Sequence, residues 1–390
     1  MKKIISFTLA LVTLLLSLMS CTPDPNTTST INPNTEETPN ITIAKTGMLL
    51  YDNTFFYKTQ PIPDGNLDDV TIKYQNIENI QPEGILLYAD SLGENEDPFR
   101  GYGNAFMLID EKATKENGGI PVLIIAYGVM SEEGSYIYKI VSFNQSTNKL
   151  NVIADNIGNG FTSFCLIDDT IFYQYNTGDK EGYVFFSVNK NGGEPEITSF
   201  SSQNQVVIIG CYGETIYMFE NGTTKIISCD MNFENSKNIL ESCNLKCKPF
   251  IEGEILYYGN DNSEITVGEN KIEGCNIYKI DLTSPDSAPE LFMENVISAS
   301  NYDSKLFYSL KDDVSIVSFG TFTYATCHTV KMYDFITEEK STILDKSMDT
   351  SVSISVLDCN DRFIWYSIDN KRYFMSLKTL ELVEFPGFYN

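Results

Sequence analysis

The chain has one histidine and one tryptophan, and this scarcity limits the chemistry that it can perform. A Ser-His-Asp or Cys-His site would have to use His328, which lies beside Cys327 in the β-rich segment "FTYATCHTV". Adjacent side chains of a strand point to opposite faces, so these two cannot form a dyad. We therefore assign no catalytic residue and expect no metal site and no cofactor.

Basic residues are also scarce. The chain has 27 Lys and Arg against 53 Asp and Glu, which gives a formal net charge of −26, and no run of basic residues occurs. Nucleic acids bind proteins through clustered Lys and Arg. The composition therefore excludes a nucleic-acid partner, and we expect an acidic, soluble surface.

The N-terminal segment is typical of an exported protein. Two lysines precede a long apolar run without charge in "MKKIISFTLALVTLLLSLMSC", so residues 1–20 are predicted to be a signal peptide. The sequence Leu18-Met19-Ser20-Cys21 resembles the bacterial lipobox, which implies that the Cys21 thiol carries a diacylglyceryl group with palmitate-type chains. The alternative is an ordinary cleaved signal with a coincidental cysteine. The lipobox predicts an extracytoplasmic protein anchored by lipid at the bacterial cell surface.

Residues 21–40 are rich in Thr, Pro and Asn and have no apolar period, so we predict a disordered tether before one domain over 41–390. Eight cysteines remain besides Cys21, an even number that permits disulfides in an exported chain. Several lie within apolar strand sequences, where a buried free thiol behaves as a small hydrophobe. Cys243 and Cys247 are the one close pair, and for them the sequence leaves a disulfide open.

One short phrase recurs along the domain, while sustained helical periodicity is absent. Each copy has an acid, Asn or Gly turn followed by a run of β-branched and aromatic residues, which predicts a strand with its start signal. The copies are "YDNTFFY" ending at Tyr57, "EGILLY" at Tyr88, "DDTIFYQY" at Tyr175, "GETIYMF" at Phe219, "EGEILYY" at Tyr258, "YDSKLFYS" at Ser309 and "NDRFIWYS" at Ser367, with a weaker "IPVLIIAY" ending at Tyr127.

Further phrases follow each copy, such as "NIYKIDL", "APELFMEN" and "VISASNYD", so that a unit has four short strands and recurs about every 40–60 residues. Four-stranded antiparallel units in a ring describe a β-propeller. We predict an all-β propeller of seven blades, or eight if "IPVLIIAY" begins its own blade. A pair of β-sandwiches and a β-solenoid are the alternatives. The first unit, residues 41–80, is short for four strands, which leaves the closure of the ring open.

Two segments carry a resemblance to a known family. Gly253 to Tyr258 and Ile277 to Ile280 match the Gly-x-x-(Ile/Leu)-Tyr-Tyr and Ile-Tyr-(Lys/Arg)-(Ile/Leu) repeats of bacterial surface lipoproteins with a propeller ectodomain. Those repeats are similar to the propellers of the low-density-lipoprotein-receptor-related group, and the resemblance covers residues 41–390. It implies a propeller fold and no shared catalytic set.

Three long inserts are the candidate ligand-binding regions: residues 91–103, 259–274 and 311–329. In a propeller, the loop between the second and third strands of a unit opens on the same face as the loops between blades. Loops on a rigid scaffold often carry function, and aromatic side chains there suit a glycan or a protein. The candidate residues are Phe99, Arg100, Tyr102, Asp261, Glu264, Phe322 and Tyr324. Surface insertions without function are the alternative.

Together these features predict a lipid-anchored extracytoplasmic β-propeller that acts, as a monomer, in binding or scaffolding a protein or a glycan. One alternative is a carboxylate-based polysaccharide hydrolase or lyase, for which two acids would have to converge in a concave pocket. Another is an envelope assembly factor, which would require a flat apolar patch of the size of a partner.

Overall fold

The structure is a computed structural model that describes residues 41–58, 72–77, 84–87, 105–130, 136–147, 149–260, 263–284, 288–319, 322–346, 353–369 and 371–384. The fold in these residues is all-β, as predicted, with one short α-helix, α1 (Glu111–Glu116), and a 3-10 helix at Lys311–Asp313. The predicted signal peptide, the tether and Cys21 lie outside the described residues. No helix in the described part of the chain is long and apolar enough to span a membrane.

The first part of the chain forms two short strands and then four blades, each of four antiparallel strands in chain order. The strands are β1 (Ile41–Ile43), β2 (Lys45–Thr46), β3 (Met48–Tyr51), β4 (Thr54–Lys58), β5 (Ile72–Asn76), β6 (Gly84–Leu87), β7 (Ala105–Ile109), β8 (Val122–Met130), β9 (Tyr136–Asn144), β10 (Lys149–Ile157), β11 (Phe161–Ile167), β12 (Thr170–Asn176), β13 (Tyr183–Asn189), β14 (Glu196–Ser202), β15 (Val206–Tyr212), β16 (Thr215–Glu220), β17 (Lys225–Asp230) and β18 (Lys237–Leu240). The blades are β3 to β6, β7 to β10, β11 to β14 and β15 to β18.

The second part forms one eight-stranded sheet, a separate hairpin and a fifth blade. The strands are β19 (Phe250–Glu252), β20 (Ile255–Gly259), β21 (Ser263–Val267), β22 (Asn270–Asp281), β23 (Glu290–Tyr302), β24 (Lys305–Leu310), β25 (Val314–Phe319), β26 (Phe322–Cys327), β27 (Thr329–Asp334), β28 (Lys340–Asp345), β29 (Ile354–Cys359), β30 (Phe363–Ile368), β31 (Lys371–Ser376) and β32 (Leu382–Glu384). The eight-stranded sheet has the order β19-β20-β22-β23-β24-β27-β28, with β21 paired to β22; β25 pairs with β26, and the fifth blade is β29 to β32.

The described residues thus form five blades, not the seven or eight that the sequence predicts. The phrases "APELFMEN" and "VISASNYD" indicate two strands of neighbouring units, but both lie within the single long strand β23. The beginning of β23 pairs with β22 and its end pairs with β24, so two four-strand groups share one strand and merge into one sheet. A register shift near Asn295, whose φ is 58°, bends the strand without ending it.

The recurring phrase has the predicted role in most units. Six of the strong copies and "IPVLIIAY" provide the second strand of a four-strand group, whereas "EGILLY" is the fourth strand of the first blade, β6. The turn before the second strand takes left-handed backbone at Asp52 (φ 47°), Asp168 (φ 52°) and Asp303 (φ 45°), among others. Asp tolerates this conformation better than most side chains, which explains the acid that opens the phrase.

Apolar clusters lie between consecutive sheets, and one of them closes the ring. Leu50, Phe55 and Tyr57 of the first blade pack against Phe363, Trp365 and Phe374 of the fifth. The ring centroids of Phe55 and Trp365 are 4.1 Å apart, and both side chains are fully buried. Trp365 is therefore a core residue. The first and fifth blades meet at this seam through side chains, and neither blade takes a strand from the other.

The two N-terminal strands, β1 and β2, each extend a sheet other than the first blade. Strand β1 adds to β11, the first strand of the third blade, and β2 adds to β7, the first strand of the second blade. Lys45 of β2 forms an ion pair with the buried carboxylate of Asp358 on β29 in the fifth blade. Residues 41–46 therefore contact several blades and provide none of the four strands of the first one, which explains why the first unit looks short in the sequence.

Candidate functional site

A cavity of about 980 Å³ lies where the eight-stranded sheet meets the fifth blade. Its lining includes residues 297–302 of β23 and residues 353–356 at the start of β29. It also includes most of the segment that leads from β18 into β19, at 245, 246 and 248–250, and parts of two hairpins at 271–273, 325 and 327. We call this space the cavity.

Both hairpins belong to inserts that the sequence singles out. The hairpin β21–β22 lies between the second strand β20 and the remainder of β22, and the hairpin β25–β26 lies between β24 and β27. Ile265, Ile297 and Val314 form a small apolar cluster that packs the two hairpins against β23. Two inserts about 50 residues apart in sequence therefore come together beside one cavity, as loops on one face of a propeller should.

Hydroxyl groups are frequent among the cavity-lining residues. On β23, Ser298 is exposed while its neighbours Ile297 and Ala299 are buried, and on β29 Ser355 is exposed beside buried Ile354. The alternation follows from the two-residue period of a strand. The residues with hydroxyl or amide groups that line the cavity are Ser298, Ser300, Asn301, Tyr302, Tyr308, Ser309, Ser353 and Ser355. We call Ser298, Ser300, Ser353 and Ser355 the serine strip.

The two tyrosines of the lining are poor acids. Burial, and then the Asp358 carboxylate, raises the pKa of Tyr302 above its ordinary value. Burial, and then the Asp313 carboxylate, raises the pKa of Tyr308. Both phenols therefore stay protonated at neutral pH and can donate hydrogen bonds.

Three lysines line the cavity: Lys246, Lys248 and Lys271. Lys246 lies 3.7 Å from Glu273, and Lys271 lies 2.7 Å from Glu264. A hydrogen bond from Lys271 to Glu264 raises the pKa of this ammonium group. The backbone of the 245–250 segment is held by a hydrogen bond of 2.9 Å from the Ala299 N–H to the Lys246 carbonyl oxygen.

Glu273 is the one carboxylate among the described residues that line the cavity. It forms its ion pair with Lys246 while 86% of its side chain is exposed. Hydrolysis by two carboxylates requires a second acid on the other side of the bond that breaks. The described lining provides no such acid.

The seven predicted ligand-binding residues differ in what the structure shows of them. Glu264 lies on β21, exposed and paired with Lys271 at the hairpin that borders the cavity. Phe322 and Tyr324 lie on β26, paired with Phe319 and Val317, and their side chains are outside the described part. The other four, Phe99, Arg100, Tyr102 and Asp261, lie outside the described residues.

The sequence did not predict the lysines or the serine strip. The signal for Lys246 and Lys248 was the pair of lysines in the short segment "CNLKCKPF" of an acidic chain. The signal for the strip was Ser at every second position in "VISASNY" and "SVSISVL".

His328 and the cysteines serve the core. His328 is buried, and its ring Nδ1 lies 3.0 Å from the Thr329 hydroxyl oxygen. The eight cysteines in the described region are free thiols, and burial raises the pKa of Cys229, Cys275 and Cys359 to about 12. Such thiols are weak nucleophiles. No group of three or more His, Cys, Asp or Glu in the described part could hold a metal ion.

Comparisons with known proteins agree with the fold. No family model matches the sequence, and a search of curated proteins gives no significant match. Among solved structures, a prolyl endopeptidase matches 89% of this chain and 50% of its own with a TM-score of 0.55 and 10% identity. A post-proline cleaving enzyme from Rickettsia typhi matches 92% of this chain and 54% of its own (TM-score 0.51, 11% identity). This chain thus spans about half the length of these two enzymes.

A third match covers nearly the whole of the other protein. The β-propeller domain of the Trilobed protease from Pyrococcus furiosus, described as having an open velcro topology, matches 88% of this chain and 98% of its own (TM-score 0.51, 12% identity). At these identities the comparisons establish the fold alone. The chain is a β-propeller.

Proposed function

We propose that this protein is a lipid-anchored, extracytoplasmic propeller that binds a glycan or a protein in the cavity, without chemical turnover. The observation that supports binding is the cavity itself, about 980 Å³ in volume and bordered by two inserted hairpins. Ligand sites are concave, are few per protein and hold a small number of convergent polar groups. The serine strip, the two tyrosines and the lysines are such groups.

The anchor is supported by the sequence alone. The lipobox Leu18-Met19-Ser20-Cys21 follows an apolar signal, and the polar residues 22–40 separate it from β1. Two acyl chains hold a soluble domain at a membrane, because each buried methylene contributes about 0.8 kcal/mol. Replacing Cys21 by Ala should release the protein from membranes and abolish incorporation of labelled palmitate.

The small number of carboxylates in the cavity lining favours binding over hydrolysis or elimination of a polysaccharide. Only Glu273 lines the cavity in the described region, so the described lining lacks the second carboxylate that hydrolysis of this type requires. The assembly-factor alternative requires a flat apolar patch, whereas this site is concave and combines polar with apolar side chains.

The test compares a tryptophan placed inside the cavity with one placed outside it. Ser355→Trp fills the space beside β29, and Ser201→Trp places the same side chain on the exposed outer strand β14. The full chain, in mild detergent, is screened against a glycan array and against crosslinked envelope extract from the native organism.

We expect a saturable glycan or protein ligand that Ser355→Trp loses and Ser201→Trp retains, while both variants keep the wild-type circular dichroism and melting temperature. A ligand that binds equally well to both variants would show that the cavity is not the site. Steady release of shortened polysaccharide would show that the protein is an enzyme and would contradict the proposal of binding without turnover.

A further inference from the structure

We infer that the ligand of the cavity is an acidic oligosaccharide, bound by Lys246, Lys248 and Lys271 beside the serine strip. This inference rests on the proposed function and gives the chemical class of the ligand. It comes from the juxtaposition of cationic side chains with a row of hydroxyl groups in one concave site.

The charge of the cavity is opposite to that of the chain. Among the described residues, three lysines and one glutamate line it, which gives 3 − 1 = +2, in a protein whose formal net charge is −26. Concave sites with an excess of one sign of charge concentrate ligands of the other sign. A neutral glycan could accept hydrogen bonds from these lysines, but it would gain no attraction between opposite charges.

The ammonium groups are available to a ligand. The Lys271 and Glu264 side chains are 69% and 67% exposed, and Lys246 and Glu273 are 42% and 86% exposed. Exposed ion pairs of this kind contribute little to stability, so a ligand anion can replace the protein carboxylate. Lys248 is exposed and forms no ion pair with any described residue.

The neutral part of the lining favours a saccharide over an acidic peptide. An extended peptide binds best along a free strand edge, through backbone hydrogen bonds. At β23 the Ala299 N–H already donates to the Lys246 carbonyl oxygen, and Cys247 forms a bridge with Ala299. The serine side chains stay accessible, and hydroxyl groups both donate to and accept from sugar hydroxyls.

Lysine recognises an anion as a point charge, so these residues do not by themselves distinguish a carboxylate from a phosphate on the sugar. Titration calorimetry of the full chain therefore uses three probes of equal length: cello-oligosaccharides, the same oligosaccharides oxidised at C6 to the uronate, and the same phosphorylated at C6. A polyglutamate peptide is the fourth probe.

The variant carries Lys246→Ala, Lys248→Ala and Lys271→Ala. Its matched control carries Lys237→Ala, Lys340→Ala and Lys378→Ala, three exposed lysines outside the cavity lining, so both have a formal net charge of −26 − 3 = −29. The wild type should bind an acidic oligosaccharide and not the neutral one. At about fivefold for each lysine, the variant should lose about 100-fold in affinity, and the control should change less than about twofold. Raising the salt concentration should weaken wild-type binding, because it shortens the screening length.

Four results would overturn the inference: equal affinity for neutral and acidic oligosaccharides, unchanged affinity in the cavity variant, tighter binding of polyglutamate, or no binding of any probe. They remain distinct from failure of the proposed function. If Ser355→Trp abolishes binding of a ligand that the lysine variant retains, the cavity is the site and the acidic class is wrong. If Ser355→Trp has no effect on any ligand, the site itself is wrong.

Discussion

The ring should depend on the apolar contact between its first and fifth blades, and Phe55→Ala tests this. The Phe55 side chain is fully buried, with ring centroids 4.1 Å from Trp365 and 5.1 Å from Phe374. Truncation of a buried Phe to Ala removes its transfer free energy and leaves a void, which together cost about 3–5 kcal/mol. We expect the free energy of unfolding to fall by that amount.

The polar contacts at the same seam provide the matched comparison. Arg362 Nη1 donates to Asp52 Oδ1 over 2.6 Å, with side chains 38% and 57% exposed. Exposed ion pairs contribute about 0–1 kcal/mol, so Arg362→Ala should have a small effect although it breaks a short contact across the seam.

Urea unfolding, followed by far-ultraviolet circular dichroism and by the fluorescence of the single tryptophan, measures both variants. Trp365 lies at the seam itself, so its fluorescence reports opening there directly. The reasoning would be refuted if Phe55→Ala cost less than about 1 kcal/mol, or if Arg362→Ala cost as much as Phe55→Ala.

Three further predictions concern other parts of the ring. Lys45→Ala leaves the buried Asp358 carboxylate without its ammonium partner, so the free energy of unfolding measured in urea should fall by about 1–3 kcal/mol. The double variant with Asp358→Asn should recover part of this free energy. Burial raises the pKa of Asp303 above its ordinary 3.8, so the protonated carboxyl favours the fold at low pH, and this contribution to stability is lost as pH rises through the folded pKa. Asp303→Asn should therefore raise the melting temperature at pH 7, with a smaller gain near pH 4; an equal gain at both values would refute the assignment. Gly274→Ala would place a Cβ 2.8 Å from the Val296 carbonyl oxygen, so we expect the free energy of unfolding to fall by about 1–3 kcal/mol. The displaced β21–β22 hairpin should also weaken ligand binding. An unchanged affinity would count against a role of that hairpin in binding.

Much of the fold could be predicted because each strand carries its own local signal. "EGEILYY" becomes β20 and "NDRFIWYS" becomes β30, since a polar turn followed by β-branched and aromatic residues is a local pattern. Strands β30 and β31 form an antiparallel pair, with Ile368 opposite Lys371. The predicted number of blades was wrong because β23 is one long strand and not two. Asn295 is of a type common in turns, but here it takes positive φ within a bulge and the strand continues.

The candidate site was harder to predict, because it is assembled from distant segments. The position of the two inserts beside one another follows from propeller geometry, and Glu264 lies at that place. The lysines at 246 and 248 belong to a link between sheets, and their approach to Ser298 and Ser355 depends on the ring and not on any local pattern. Aromatic residues drew attention in the sequence, whereas the described lining is richer in hydroxyl and ammonium groups.

Site-specific photo-crosslinking in the native organism tests the central claim, that the cavity holds the ligand. A benzophenone amino acid replaces Ser355 in the cavity or Ser201 on β14, and cells are irradiated before the protein is purified and analysed by mass spectrometry. The account predicts a discrete, light-dependent adduct from position 355 and none from position 201. Equal adducts from both positions, or an adduct from 201 alone, would contradict it.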